Sequence, residues 1–435
     1  MSTSLPAAQA RPVTPAQRSR ARRAVVASSI GNALEWFDII VYSSFALVIS
    51  AQFFTPEGEE SSITGLLLTF GTFALSYLIR PVGAMVLGSY GDRRGRKSAL
   101  TLTIVIMMLG TLLMAVAPTT AAVGALAPLV ILLSRLLQGF SAGGEFGTAT
   151  AFLIESAPDR KAFYGSWQVA TQGAAILLAS TFGYVLNTTL TDDQLSSWGW
   201  RVPFFFGALI GPVGLYIRQK MTETPEFEAT GDRRAASPLR QTLVHAAPRW
   251  LAAAGIVALA SLSVYMILFM PTYAVNNLGL PGYSGFLGGI VAGAVTLVGA
   301  PFIGTLADRV GSIRIMTIAA VAGFVAIVPL FALVVNVPTV AVLTLVQAVL
   351  GALMALYFGP MPALLSSIFP TAIRTTGMSI SYSVGVTIFG GFAPLVLAWL
   401  LDATGTLMAP SYYYLVVAVI SLASLLYARR ALGQR

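Results

Sequence analysis

The sequence predicts an all-α membrane protein: twelve transmembrane helices in two pseudo-symmetric six-helix bundles, both termini cytoplasmic. Three observations predict it. Hydrophobic residues make up 56% of the chain and charged residues only 10%, with a mean hydropathy of +0.79. A soluble domain carries about 25% charge. Apolar stretches recur at lengths suited to a bilayer. A short signature is written twice, about half a chain apart: GSYGDRRGRKS from Gly88 to Ser98 and GTLADRVGSIR from Gly304 to Arg314. Both copies read Gly, three residues, Asp, Arg, one residue, Gly. A second pair, Pro158 with Arg160 and Pro370 with Arg374, repeats at nearly the same offset. So long a period marks one large module duplicated and fused.

The predicted spans lie near 25–51, 63–88, 98–118, 121–153, 163–187, 200–219, 250–276, 284–306, 314–335, 339–366, 374–401 and 411–428. They divide the chain into a tail (1–24), a first bundle (25–219), a linker (220–249), a second bundle (250–428) and a final tail (429–435). Charge sets the orientation. With the N-terminus inside, all but three of the 26 Lys and Arg are cytoplasmic, the exceptions being Arg80, Arg135 and Arg201. The opposite orientation would put nearly every cation outside. Arg11, Arg18, Arg20, Arg22 and Arg23 precede an apolar segment too long for a signal peptide, so a cytoplasmic tail is expected. The expected location is the bacterial inner membrane.

Several functions are excluded or disfavoured. The chain has no cysteine, so disulfides, cysteine-ligated zinc and thiol chemistry are absent. The single histidine, His245, reads as a solvated loop residue. No metal-ligand cluster, P-loop or nucleophile with its base is evident, so no metal, no cofactor and no enzyme activity are expected. The net charge of +9 follows membrane sidedness and does not indicate nucleic acid. The expected partners are a small organic acid, the proton and the bilayer, with the protein a monomer.

The repeated signature has a physical role at the membrane surface. Gly88, Gly95, Gly304 and Gly311 permit a tight turn and close helix approach. Asp92 and Asp308 can cap a following helix or pair with arginines across the loop. Arg93, Arg94, Arg96 and Lys97 suit anionic lipid.

These residues resemble the signature of the major facilitator superfamily, over the whole chain. GNALEWFDIIVYSSFA, RPVGAMVLGSYGDRRGRK, RLLQGFSAGGEFG, SAPDRKAFYGSWQ, GWRVPFFFG and ETPEF narrow the resemblance to the metabolite:proton symporter family. Its members import α-ketoglutarate, citrate and other carboxylates, shikimate, or proline and betaine. The resemblance implies a gating network of Gly88, Asp92, Arg93, Gly95, Arg96, Glu155, Arg160, Asp308, Arg309 and Arg374. One departure stands out: the stretch from Pro158 to Phe163 is one residue short, leaving Arg160 or Lys161 for the family's arginine.

The charges inside the membrane carry the chemistry, because an ionisable group in hydrocarbon costs a few kcal/mol or more. They are Glu35, Asp38, Arg80, Arg135 and Glu145, with Glu155 at the edge of the fourth span. All belong to the first half. Asn32, Glu35, Asp38 and Tyr42 form one polar stripe on the first span. In the arrangement the resemblance implies, the first and fourth spans line a central cavity, where Asp38 meets Arg135. Burial disfavours the carboxylate and a nearby arginine favours it. A contact that opens and closes therefore couples protonation to alternating access. Related proton-coupled sugar porters are similar, with an acid and an arginine on these spans. The alternative is a permanent salt bridge.

Glu35 and Glu145 are expected as a second proton relay or as partners of Arg80. Arg80, with Arg135, is the expected anion site. Gln138, Gln168 and Gln172 on spans four and five, and Tyr265, Tyr273, Tyr357 and Tyr382 in the second half, are the neutral candidates along the path. Tyr164, Trp167, Asn276, Asn277 and Ser383 accompany them.

The expected function is proton-coupled import of a small organic acid such as α-ketoglutarate or citrate. The alternative is a zwitterionic osmolyte (proline or betaine) or a shikimate-like metabolite. A drug antiporter is disfavoured because its relatives carry Gly-Pro in the fifth span, and Gly165–Asn187 has no proline. An osmosensor is disfavoured because its relative carries a coiled-coil tail, which this sequence lacks after the twelfth span.

Overall fold

Backbone in hydrocarbon must satisfy its own hydrogen bonds, so each long apolar stretch becomes a helix. The computed structural model describes residues 32–33, 35–55, 63–94, 96–143, 150, 153–154, 160–219, 241–370 and 373–434, and among these no strand occurs. The first predicted span is a bent pair, α1 (Glu35–Ser44) and α2 (Ala46–Phe53), turned through 68° at Phe45. Next come α3 (Ile63–Leu78) and α4 (Arg80–Arg94), then α5 (Arg96–Ala115) and α6 (Leu126–Ala142). The first half ends with α7 (Lys161–Thr189) and α8 (Val202–Gln219).

The second half opens on α9 (Ala247–Asn276), α10 (Ser284–Val310) and α11 (Ser312–Asn336). It continues with α12 (Val340–Phe358), α13 (Met361–Ile368) and α14 (Arg374–Val386). A π-helical turn, Thr387–Gly391, leads into α15 (Ala393–Thr404), and α16 (Ala409–Ala431) follows.

Among the described residues eight helical stretches are long and apolar enough to cross a bilayer, and the bent pair α1–α2 makes a ninth. The other three predicted spans hold α5, α6 and α8. The apolar parts of α5 and α6, Thr101–Ala115 and Leu126–Ala142, are shorter.

Burial sorts the helices. α9 is buried without a break from Ala252 to Ala274, as a helix apolar on all sides should be. By contrast α11 exposes Ile318, Val321 and Val325, and α10 exposes Val298 and Phe302. Such an apolar exterior is the face that lipid covers.

Two seams join the halves of the chain. In the first, α7 crosses α10 at glycines. A Cβ on Gly173 would stand 2.6 Å from the Leu297 amide nitrogen, and one on Gly293 would stand 2.5 Å from that of Leu177. Only hydrogen fits there, which is the use of small residues in membrane helix packing. The second seam is aromatic: Phe70 meets Phe269 (ring centroids 5.9 Å apart), Trp36 meets Tyr265 (6.4 Å) and Phe45 meets Phe286 (5.5 Å). A cavity of about 470 Å³ lies between the halves, lined by Leu47, Ser50 and Leu66 on one side and Thr272, Asn276 and Asp402 on the other.

Candidate functional site: two buried ion pairs

Asn32, Glu35, Asp38 and Tyr42 recur at helical spacing, so the first helix carries all four into the interior, where each is buried. Two arginines meet them. Arg80, where α4 begins, places Nη2 3.5 Å from Glu35 Oε1. Arg135, on α6, places Nη2 3.6 Å from Asp38 Oδ2. Exposures of 8% and 6% for Glu35 and Arg80, and of 3% and 1% for Asp38 and Arg135, put both pairs out of bulk water. These four are the only charged residues among the buried ones described.

Each guanidinium also lies over a tyrosine. Arg80 is 4.0 Å from the Tyr77 ring centroid and Arg135 is 3.9 Å from that of Tyr42. A ring face attracts a cation and shields it without supplying a hydrogen-bond acceptor. The Tyr42 hydroxyl is held by the Thr69 carbonyl at 3.0 Å and the Thr72 hydroxyl at 2.7 Å. The charged atoms themselves are under-bonded. Arg80 Nε and Arg135 Nε and Nη2 have no hydrogen-bond partner within the protein, and both Asp38 oxygens lack a well-formed one although Thr111 and Gln138 lie beside them. Buried polar groups are nearly always bonded, and exceptions cluster where a site exchanges partners.

The neutral candidates divide. The Asn32 amide donates to the Gln168 carbonyl at 3.0 Å and to the Thr171 hydroxyl at 2.7 Å, tying the first helix to α7. The Gln168 side-chain oxygen accepts from Thr150. Gln138 donates to Thr111 at 3.1 Å beside Asp38. Gln172 is fully buried, close to Tyr382. Tyr382 in turn lies within electrostatic reach of Arg80 and Glu35. Tyr265 bonds the hydroxyl of Tyr77 across the halves. Tyr273 and Tyr357 donate to the Leu407 and Ile256 carbonyls, tying α9 to the segment after α15 and to α12.

Sequence reasoning missed Tyr77. Its signal was present, because Tyr77 and Arg80 are three residues apart and share a helix face. The bond to Tyr265 had no such signal. It rests on Gly390 and Gly391 in the π-helical turn, whose added Cβ atoms would meet the Tyr265 and Tyr77 rings.

In the gating set, Gly304 lies against Ala162 and Ser166 of α7. Gly311 has φ +101°, the turn conformation that disfavours a side chain. Asp308 departs from expectation. It caps no following helix and accepts instead from the Ala162 and Phe163 amides at 2.8 and 3.0 Å. These are first-turn donors of α7, in the other half of the chain. The physical cause is that α7 begins with amides that lack helical partners and a positive dipole end, both of which suit a carboxylate. Arg160 and Arg309 are exposed nearby. Gly88, Asp92 and Arg93 fall in α4, Arg96 begins α5 and Arg374 begins α14; their side chains lie outside the described part. Gly95, Glu145 and Glu155 lie outside the described residues altogether.

Comparison with known proteins agrees with this architecture. The model of the Major Facilitator Superfamily matches residues 29–384 and 293–434. The citrate-proton symporter of Salmonella typhi is 36% identical over 417 residues, covering 94% of this chain and 95% of that protein. The citrate-proton symporter of Klebsiella pneumoniae is 34% identical, covering 94% and 91%. The proline/betaine transporter of Escherichia coli is 33% identical, covering 95% and 84%. Among solved structures, a partially occluded inward-open xylose transporter from E. coli superposes with a TM-score of 0.74 at 17% identity, covering 94% and 97%. That likeness is one of fold. The chain belongs to the major facilitator superfamily, and within it to the metabolite:proton symporter family.

Proposed function

We propose that this protein imports a small organic acid together with protons by alternating access, through twelve helices arranged as two six-helix bundles with cytoplasmic termini. The carrying observation is the buried Asp38–Arg135 contact, held at 3.6 Å with neither carboxylate oxygen in a well-formed hydrogen bond. A permanent structural bridge would gain from satisfying those atoms. An exchangeable pair gains from leaving them available to a proton. Asp38 accepts a proton when Arg135 withdraws and releases it when the contact reforms. Arg80 and Arg135 receive substrate carboxylate, and Tyr265, Tyr382, Gln138, Gln168 and Gln172 supply neutral hydrogen bonds. Asp308 on the α7 N-terminus is one latch between the bundles, with the remaining residues of the repeated signature in the same gating role. The citrate-proton relatives support the organic acid.

A second reading is import of a zwitterion such as proline or betaine, favoured by relatives of that description matching as much of the chain. Uptake into proteoliposomes under an imposed pH gradient separates the two. Citrate, α-ketoglutarate, succinate, shikimate, proline and betaine are offered singly. Accumulation of carboxylates supports the first reading; accumulation of only zwitterions overturns it.

A further inference from the structure

The proposed mechanism uses one acid, Asp38, yet the buried site holds two acids and two arginines. We propose that Glu35 and Arg80 form a second proton-linked pair: protonation of Glu35 hands Arg80 to a substrate carboxylate, so the protein moves a dicarboxylate dianion with two protons. This rests on the organic-acid reading above and narrows it to a substrate class and a stoichiometry.

The first argument is charge. Glu35, Asp38, Arg80 and Arg135 sum to zero, and no other described buried residue is charged. A dianion entering alone would leave two uncompensated negative charges in a low-dielectric site, which is costly. One proton would still leave one charge. Two protons, one on Glu35 and one on Asp38, return the loaded site to zero, with each arginine facing one carboxylate. A net-neutral zwitterion needs no such pair of protons.

The second argument is geometry. The two pairs are built alike: an acid from α1, an arginine at 3.5 or 3.6 Å, and a tyrosine ring beneath the guanidinium at 4.0 or 3.9 Å. Both arginines keep an unbonded Nε, and a guanidinium fork offers a carboxylate two parallel donors. Glu35 and Asp38 stand three residues apart on α1, so the two pairs are neighbours along one helix face.

The third argument is what the second pair faces. The Asp38 pair contacts Tyr42, Thr111 and Gln138, all in the first half. The Glu35 pair instead faces Tyr77 on α3, Tyr265 on α9 and Tyr382 on α14. The Tyr77 hydroxyl bonds Tyr265, the Thr387 hydroxyl donates to the Tyr77 carbonyl at 3.3 Å, and Gly391 seats the Tyr77 ring. Exchange of Glu35 for substrate on Arg80 is therefore felt directly by the opposite half.

The test uses the full chain in liposomes with the membrane potential clamped at zero and succinate or α-ketoglutarate as probe. Each coupled proton contributes a tenfold concentration ratio per pH unit. The wild type is expected to accumulate the dianion about a hundredfold per pH unit, and Glu35→Gln about tenfold, with Glu35→Asp restoring the steeper dependence. A wild-type ratio of about tenfold, or an unchanged slope in Glu35→Gln, overturns the proposal. Should Glu35→Gln fail to fold, proton uptake on succinate binding to wild-type protein in weak buffer decides. Close to two protons per dianion supports the second pair; one proton overturns it. Failure of the organic-acid reading is distinct, because carboxylates would then not accumulate at any slope while proline or betaine would.

Discussion

Replacing Asp308 with alanine removes both hydrogen bonds that fix the first turn of α7 to the end of α10. Hydrogen bonds to a charged group contribute about 1.5–3 kcal/mol each, and an exposed carboxylate belongs at the low end. The two together stabilise this contact by roughly 3 kcal/mol, a preference of about 150-fold for conformations that keep it. Ser166 reports the contact. It is fully buried on α7 against Gly304 of α10, and the chain has no native cysteine. In a Ser166→Cys background, maleimide labelling should accelerate at least about tenfold when Asp308→Ala is added, allowing for partial relief of burial. Asp308→Asn keeps one acceptor oxygen and should fall between. If Asp308→Ala labels within about twofold of its parent, the two hydrogen bonds do not hold the halves together.

Three further outcomes are expected. Asp38→Asn should abolish accumulation driven by a pH gradient while leaving exchange of internal for external substrate, both read in proteoliposomes; retained accumulation would remove Asp38 from the coupling. Arg80→Lys loses the planar fork and its stacking on Tyr77, so KM for an organic anion should rise by about tenfold or more; an unchanged KM excludes direct contact. Gly293→Val forces a side chain to within 2.5 Å of the α7 backbone and should lower Tm and yield of monodisperse protein, whereas Gly71→Ala, with open space around it, should leave both unchanged.

The helices were legible because apolar length is a local property. Each predicted stretch contains a helix whose described ends lie within a few residues of expectation wherever the description reaches them. The meeting of Asp38 with Arg135 was legible for a similar reason, since charges with no access to water must find one another. The partner of Arg80 was left open between two glutamates; Glu35 lies 3.5 Å from it, and Glu145 is outside the described residues. Three features had no local signature. The 68° bend at Phe45 has no proline or glycine beside it, only the Ser43–Ser44 pair of an otherwise apolar stretch. The Tyr77–Tyr265 bond joins residues from opposite halves. Asp308 bonds a helix far away in sequence because three-dimensional proximity decides which helix start it reaches.

The two halves differ in where charge is buried. Every buried charge described belongs to the first half, so a protonation change of the kind proposed above would reach the second half through neutral groups. The bridge is aromatic. Arg80 holds Tyr77, Tyr77 bonds Tyr265 on α9, and the π-helical turn before α15 rests on both rings through Gly390 and Gly391. A π-helical turn stores an irregularity that a small displacement can release, and a glycine pair lets it slide over a ring without a clash. In the exchange proposed above, an Arg80 that leaves Glu35 for a substrate carboxylate would shift the ring beneath it. Thr387, whose hydroxyl donates to the Tyr77 carbonyl, passes that shift directly to the turn. A second half whose described buried residues are uncharged is thus suited to respond to a charged first half without a second set of buried ions.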